Sequence, residues 1–467
     1  MVVEQIYTGC LAQGAYYIES NGEAVIIDPL REVSPYLARA KKDNAKIKYI
    51  LETHFHADFV SGHVSLSKET GAPIVFGPTA TPNFDAHIAT DGEVLKVGDV
   101  TITVLHTPGH TMESVTYLLK DKDGKDYAIF TGDTLFLGDV GRPDLAQKAG
   151  SLTQEDLAGK LYDSLRTKIM PLADDVIVYP AHGAGSACGK NMMKETVDTL
   201  GNQKKMNYAL RADMTREEFI EEVLDGLLPP PAYFPHNVQM NRDGYEHINQ
   251  VLDRGLKALS PEEFEQVANA QNPVILDVRK PKDFSEGHVP RSIFIGLDGG
   301  FAPWVGALIA DVQQPILLVV DEGREEEAVT RLSRVGFDKT LGYLKGGMDA
   351  WRKDGKEIDS LHNVTAKELV DIVSNDTNAK VLDVRKPGEV ETCHMEGSQH
   401  IALDTLSNRL NELPDTNFYI HCAGGYRSVI ASSLLKNRGV HNFTNVSEGM
   451  KAIKNAGANV VENACTA

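Results

Sequence analysis

The sequence predicts an α/β protein of three domains, the last two built on parallel sheets. Three observations predict it: chain length, an internal repeat, and short apolar runs alternating with helical patterns. At 467 residues the chain is too long for one core, because a domain takes roughly 100–200 residues. Residues 275–281 read ILDVRKP and residues 381–387 read VLDVRKP, an offset of 106. Farther on, LLVVD (317–321) parallels FYIHC (418–422), and GGMDAW (346–351) parallels EGMKAI (448–453). Matches in one order across about 100 residues mark a duplicated domain, not a short solenoid repeat.

In the second copy, 381–384 and 417–421 read as strands. A helix is expected from about Ser428, with Ile430, Ala431, Leu434 and Leu435 at helical spacing. Such alternation of strand and helix implies a parallel sheet. Ser260-Pro261-Glu262-Glu263 is a helix-start signal, and the unit begins again near Thr365. The first half has another texture, with strands expected at 24–27, 47–51, 74–76, 100–105, 114–119, 127–130 and 176–179. Pro229-Pro230-Pro231 and the stretch 233–245 after it read as a semi-rigid connector. The expected domains are 1–230, a linker at 231–258, then 259–358 and 359–467.

Composition removes several function classes. A net charge of −19 opposes nucleic-acid binding, which needs a basic footprint. No apolar run approaches the ~20 residues of a membrane helix. The start, Met1 to Gln5, has neither the basic nor the apolar part of a secretory signal, so a cytoplasmic protein is expected. The five cysteines (Cys10, Cys188, Cys393, Cys422, Cys465) form no CxxC pair and are odd in number. A disulfide framework is not expected, and an important cysteine should act as a free thiol.

Metal chemistry is written at the ends of the first-domain strands. Thr53-His54-Phe55-His56-Ala57-Asp58 follows an apolar run and precedes a helix expected at 60–70. Histidines at i and i+2, with an Asp two further on, put three possible ligands in one loop. His110, Asp133 and His182 each follow a later apolar run, beside Gly109, Gly132 and Gly183. Strand ends along one sheet edge converge, so ligands distant in sequence can share a metal. One such histidine alone is usually an ordinary polar residue; four such sites in order point to a metal.

These motifs resemble the metallo-β-lactamase superfamily over about residues 1–230, a resemblance that implies an αββα sandwich. The superfamily's two-metal hydrolases carry a second-metal His directly after the loop Asp, where this chain has Phe59. A mononuclear centre is therefore expected, with His63 a weak substitute. Within the superfamily the one-iron site is shared by the persulfide dioxygenases. Carried over by motif position, their two-His, one-carboxylate triad would be His54, His110 and Asp133, holding one Fe(II) per chain with room for a persulfide and O2. His56 and Asp58 would orient ligands or exchange protons, and His182 would line the pocket. Arg142, in the loop after Asp133, either shapes the site or forms a structural salt bridge.

The repeated unit resembles rhodanese over nearly all of 260–460. In its second copy a strand runs into Cys422-Ala423-Gly424-Gly425-Tyr426-Arg427-Ser428 and a helix. Gly424 and Gly425 let the loop curl with its N–H groups inward, the helix adds its positive end, and Arg427 adds a charge. All three favour a thiolate, and then a persulfide, on Cys422. In the first copy that position is Asp321, and no cysteine occurs between 189 and 392. That copy cannot form a persulfide and is expected to serve in packing, spacing or dimer formation, or in binding. Asp277, Arg279, Asp383 and Arg385 recur in both copies and read as scaffold ion pairs. Cys188, six residues after His182, is a candidate sulfur relay or a small core residue. Cys393, before His394, Cys10 and Cys465 carry no assigned role.

The expected activity joins both halves. A low-molecular-weight thiol persulfide is oxidised with O2 to sulfite, and Cys422 passes sulfane sulfur to or from sulfite and thiosulfate. A homodimer is expected. The rivals are a dinuclear zinc thioester hydrolase of the glyoxalase II type, and a sulfur-carrier or redox protein whose metal domain is a scaffold.

Overall fold

The computed structural model describes residues 1–147 and 151–462, so Cys465 lies outside the described residues. Two compact units divide the chain. The first holds Met1–Ile248 with Ser333–Gly336; the second holds Asn249–Leu332 and the chain from Phe337 onward.

The first unit contains two six-stranded sheets. Val2–Thr8, Gln13–Ser20, Glu23–Ile27, Lys46–Leu51, Ile74–Phe76 and His87–Ile88 lie side by side in chain order. The second sheet runs Asp198–Thr199, Ile177–Pro180, Asp126–Gly132, Val115–Lys120, Val100–His106, Val94–Val97. Period-2 alternation sends Tyr16, Ile18, Val25 and Ile27 into a core shared with Ile102, Val104, Tyr117 and Phe130 of the other sheet. The intervening Tyr17, Ala24 and Ile26 face outward, where Tyr36 of helix Ser34–Lys42 and Leu66 of helix His63–Thr70 cover them. Leu161 of helix Gln154–Ser164 and Phe219 of helix Arg216–Leu224 cover the outside of the second sheet. Both faces of each sheet are thus buried, giving an αββα sandwich.

The expected connector at 231–258 is helical instead. Phe234–Asp243 and Ile248–Gly255 are α-helices, and Phe234, Asn237 and Asn241 are buried. Pro235 sits in the first turn of its helix, where no N–H is required, so it starts the helix rather than breaking it. The first compact unit accordingly runs through this helix to Ile248.

The second unit repeats one architecture twice. Ala258–Leu259, Thr340–Leu344, Ile316–Val319, Val274–Asp277 and Ile293–Phe294 form a five-stranded sheet, parallel throughout. Asn363–Val364, Phe443–Gly449, Phe418–Cys422, Lys380–Asp383 and Gln399–His400 form the matching second sheet, also parallel. The helix starts read from sequence carry capping boxes, Ser260 with Glu263 and Thr365 with Glu368. The scaffold pairs are buried and alike: Arg279 to Asp277 and Arg385 to Asp383, each at 2.6 Å.

His288 in this unit stacks on Phe284 at 3.9 Å and is buried. Burial lowers its imidazole to about 4, outweighing the favourable Phe284 carbonyl and Asp359 carboxylate. An unfolded chain takes up that proton near pH 6.5, and the fold resists it until about 4. Stability from this residue is therefore complete above about pH 6.5 and lost as pH falls to about 4, roughly 3 kcal/mol in all. His288→Gln should flatten the slope of the urea midpoint of the full chain between pH 7 and 4. An unchanged slope would show that His288 titrates as in water.

Candidate metal centre and sulfur site

The metal loop leaves strand Lys46–Leu51 beside Asp28, which closes the neighbouring strand Glu23–Ile27. Asp28 accepts from the Thr53 amide and the Thr53 hydroxyl, each at 2.8 Å. Since that hydroxyl proton is committed, Thr53 Oγ1 accepts from His54 Nδ1–H at 3.0 Å, leaving the His54 Nε2 lone pair free. His110 is set the same way: its Nδ1–H donates to the Arg142 carbonyl at 2.8 Å. Its Nε2 then faces Asp133 Oδ2 at 3.4 Å, with His54 Nε2 at 3.9 Å from the same oxygen. Thr53, in turn, packs so closely on Gly132 that a Cβ there would lie 2.5 Å from Thr53 Oγ1; Gly132 has φ 52°. The chain can pass between sheet and site only without a side chain at that point.

His54, His110 and Asp133 are all buried, and their ligand atoms lie within 4.8 Å of one another. Burial holds the His54 imidazole well below its usual range, with His56, His110 and His182 adding to the shift, so it is neutral and fit to ligate. Neither Asp133 oxygen has a hydrogen-bond partner among the described residues. A carboxylate sealed from water without partners is costly. A divalent cation removes that cost and takes up both imidazole lone pairs, so this donor set fits a metal.

A second buried group lies alongside. His56, Asp58 and His182 also offer ligand atoms within 4.8 Å of one another. His182 Nε2 stands 3.3 Å from Asp58 Oδ2 and 3.6 Å from Asp133 Oδ1. Burial alone would lower the His182 imidazole, but Asp58 and Asp133 outweigh it and hold it well above its ordinary value. His56 Nε2 is 3.1 Å from Asp28 Oδ1 and 3.7 Å from Glu52 Oε2. Asn241 fixes the loop backbone: its amide donates to the His56 and Phe59 carbonyls and its oxygen accepts from Ser61 N–H, each at 2.8 Å. Sequence reading missed Glu52 and Asn241; Asn241 comes from the stretch taken for a connector, and only the tertiary fold brings it here. Arg142 forks onto Asp144 with two bonds of 2.7 Å and donates to the Leu228 carbonyl at 2.6 Å. Of the two sequence readings the salt bridge is the one found, and the residue serves the site through its carbonyl on His110.

The candidate sulfur site lies at the end of strand Phe418–Cys422. Cys422 is buried, and the Gly425 N–H donates to its Sγ at 3.2 Å. Gly425 has φ 87°, and a Cβ there would meet the Ser447 carbonyl at 2.5 Å. Gly449, in the EGMKAI repeat match, is tighter still: a Cβ would sit 1.6 Å from the Ala423 carbonyl. Helix Tyr426–Asn437 starts two residues before the expected Ser428. Arg427 does not stand as a free charge; it grips Glu389 through two bonds of 2.5 and 2.8 Å. That pairing spans 38 residues, beyond any local pattern.

Residues 8–182 match the metallo-beta-lactamase superfamily, and residues 260–354 and 365–456 match the rhodanese-like domain. The human persulfide dioxygenase ETHE1 is 31% identical over 221 residues, 47% of this chain and 78% of that protein. The chain belongs to the metallo-β-lactamase superfamily. A cytoplasmic hydroxyacylglutathione hydrolase of Arabidopsis thaliana is 33% identical over 178 residues, 37% of this chain and 65% of its own length. A crystal structure of a metallo-beta-lactamase from Staphylococcus aureus subsp. aureus COL aligns with TM-score 0.66 at 30% identity. It covers 74% of this chain and 99% of its own. Among curated relatives, the matched segment spans from 48% to 98% of the relative's length.

For a member of this superfamily, the departure at Phe59 is physical as well as sequential. Its ring is fully buried and lies against His56, centroids 4.3 Å apart. His63, the weak substitute, joins none of the candidate ligand groups among the described residues. Its Nε2 is 3.1 Å from the Asn241 carbonyl and its Nδ1 3.6 Å from Glu52. The second group nevertheless keeps His56, Asp58 and His182 together. Cys188 is buried within ligand range of Asp133 and His182. Burial, then Asp58 and Asp133, push its thiol up to about 12, opposite to what a nucleophilic relay needs. Cys393 is half-buried and lies 3.8 Å from Glu462. No helix among the described residues is long and apolar enough to cross a membrane.

Proposed function

We propose that the chain is a non-haem iron(II) persulfide dioxygenase that oxidises thiol persulfides with O2 to sulfite. We include in that reading a sulfurtransferase step at Cys422. The observation that carries it is the buried His54–His110–Asp133 set, with both Asp133 oxygens unpartnered. Two imidazoles and one carboxylate are the donor set of non-haem iron oxygenases. Iron(II) held there would relay electrons from the persulfide's outer sulfur, which is oxidised, to O2, which is reduced. The chain's own residues do the rest. Thr53 and the Arg142 carbonyl present the two Nε2 atoms, and His182, 3.3 Å from Asp58, can exchange a proton with that carboxylate. Phe59 packs an apolar ring against His56, a neighbour that suits sulfur better than water.

A second reading, a dinuclear zinc thioester hydrolase, is favoured by the His56–Asp58–His182 group and by the hydrolase relative. Metal analysis of protein purified without oxygen separates the two. About one iron per chain, with O2 uptake on adding glutathione persulfide, is the expected result. Two zincs per chain with thioester hydrolysis would replace the dioxygenase reading, and no metal would leave a sulfur carrier.

A further inference from the structure

In the second unit, a cavity of about 490 Å³ opens beside the Cys422 loop, and its walls come from both rhodanese-like copies. Gly425 belongs to site and cavity alike, since its N–H holds Cys422 Sγ and its backbone lines the space. From the cysteine-less copy come Lys280, Lys282 and Glu286, at the cap, the first turn and the last residue of helix Pro281–Glu286. The two copies are locked at this point. The Tyr426 hydroxyl donates to the Gly296 carbonyl at 2.8 Å, its ring packs edge-on to Phe294, and a Cβ on Gly299 would strike that ring at 2.2 Å.

Charge around the cavity is distributed unexpectedly. The loop's own cation, Arg427, is taken by Glu389, and Arg385 by Asp383. The only cations lining the cavity are Lys280 and Lys282. Lys280 enters no ion pair among the described residues, and Lys282 has only an exposed contact of 3.7 Å to Glu286. Such an exposed pair is worth little and yields readily to a ligand. The repeat also marks Lys282 as particular to the silent copy, because the matching position in the other copy is Gly388. Size then selects the ligand. A volume of 490 Å³ lies in the range of small-molecule pockets and far exceeds a sulfur oxyanion.

We propose that the cysteine-less copy is the recognition half of the sulfur-transfer site, where Lys280 and Lys282 hold the carboxylates of a low-molecular-weight thiol persulfide. The inference rests on Cys422 being the sulfur-accepting thiol. In that step the Cys422 thiolate attacks the outer sulfur of R–S–SH. The S–S bond of the donor breaks, R–S⁻ leaves, and Cys422 becomes Cys–S–SH. No oxidant is consumed. Glu286 would face the ammonium group of a donor that carries one.

The test uses the full chain, with cyanide as acceptor and thiocyanate as readout, and three donors: glutathione persulfide, the persulfide of glutathione dimethyl ester, and thiosulfate. In the double variant Lys280→Gln, Lys282→Gln, KM for glutathione persulfide should rise about tenfold while kcat stays within about twofold, the signature of lost binding. KM for the ester should not move, and Lys280→Arg with Lys282→Arg should restore the acid donor. An unchanged KM for glutathione persulfide, or an equal rise for the ester, overturns the proposal. A rise for thiosulfate alone also overturns it and assigns the lysines to an inorganic oxyanion. Cys422→Ser is assayed beside them: transfer that survives it defeats the Cys422 reading, whatever the lysines do.

Discussion

His110→Ala will strip the chain of its metal and lower persulfide-dependent O2 uptake by at least about 10³-fold. Changing a residue that merely supports a ligand costs 10–100-fold in affinity or activity, and His110 is proposed as a ligand itself. Of its neighbours, Cys188 lies within ligand range of Asp133, but a thiol pushed up to about 12 is a poor ligand. His54 Nε2 and Asp133 Oδ2 would remain as two donors, and the nearest other imidazoles, His56 and His182, are held by Asp28 and Asp58. The fold should survive, because the Arg142 carbonyl that loses the imidazole belongs to a loop already clamped by the Arg142–Asp144 fork. Iron content by mass spectrometry and O2 uptake by electrode are the readouts, with Cys422-dependent sulfur transfer as the folding control. Iron content near the parent's, with O2 uptake within tenfold, would remove His110 from the metal site and with it the triad.

Where the sequence was legible, the reason is local. His54, His110, Asp133 and His182 each follow an apolar run, and a run of that kind ends at one sheet edge whatever the rest of the chain does. The duplicated copies were legible because Asp277–Arg279 and Asp383–Arg385 repeat a buried fork two residues apart. Strand Gln13–Ser20 was not, because both of its faces are buried and no alternation marks it. Asn241 was illegible for another reason. Its three bonds to the metal loop reach back 180 to 185 residues, and its helix follows a proline run that argues for a connector. Arg427 shows the same limit at the other site: its charge is plain in the sequence, its neutralisation by Glu389 is not. Phe59 stands where the two-metal pattern has a His, yet His56, Asp58 and His182 remain grouped, so a single missing ligand does not by itself fix metal number.

Cys422→Ser will abolish sulfur transfer, by at least about 10³-fold, and leave iron-dependent O2 uptake in place. Loss of a covalent nucleophile is among the largest single-residue effects in enzymes. Serine differs by one atom, and the Gly425 N–H that now donates to Sγ at 3.2 Å can donate to a hydroxyl, so the loop should hold. A hydroxyl at neutral pH is not ionised, and it forms no persulfide. The consequence reaches the products. In the proposed function, persulfide and O2 give sulfite, and the Cys422 persulfide would then give its outer sulfur to it, Cys–S–S⁻ + SO₃²⁻ → Cys–S⁻ + S₂O₃²⁻. The variant should therefore accumulate sulfite where the parent yields thiosulfate. Neutralising Arg427 instead, by Arg427→Gln, should cost far less, because its charge is already compensated by Glu389. A sulfite-to-thiosulfate ratio unchanged in Cys422→Ser would uncouple the two sites, leaving a dioxygenase and a sulfurtransferase that share a chain but not a pathway.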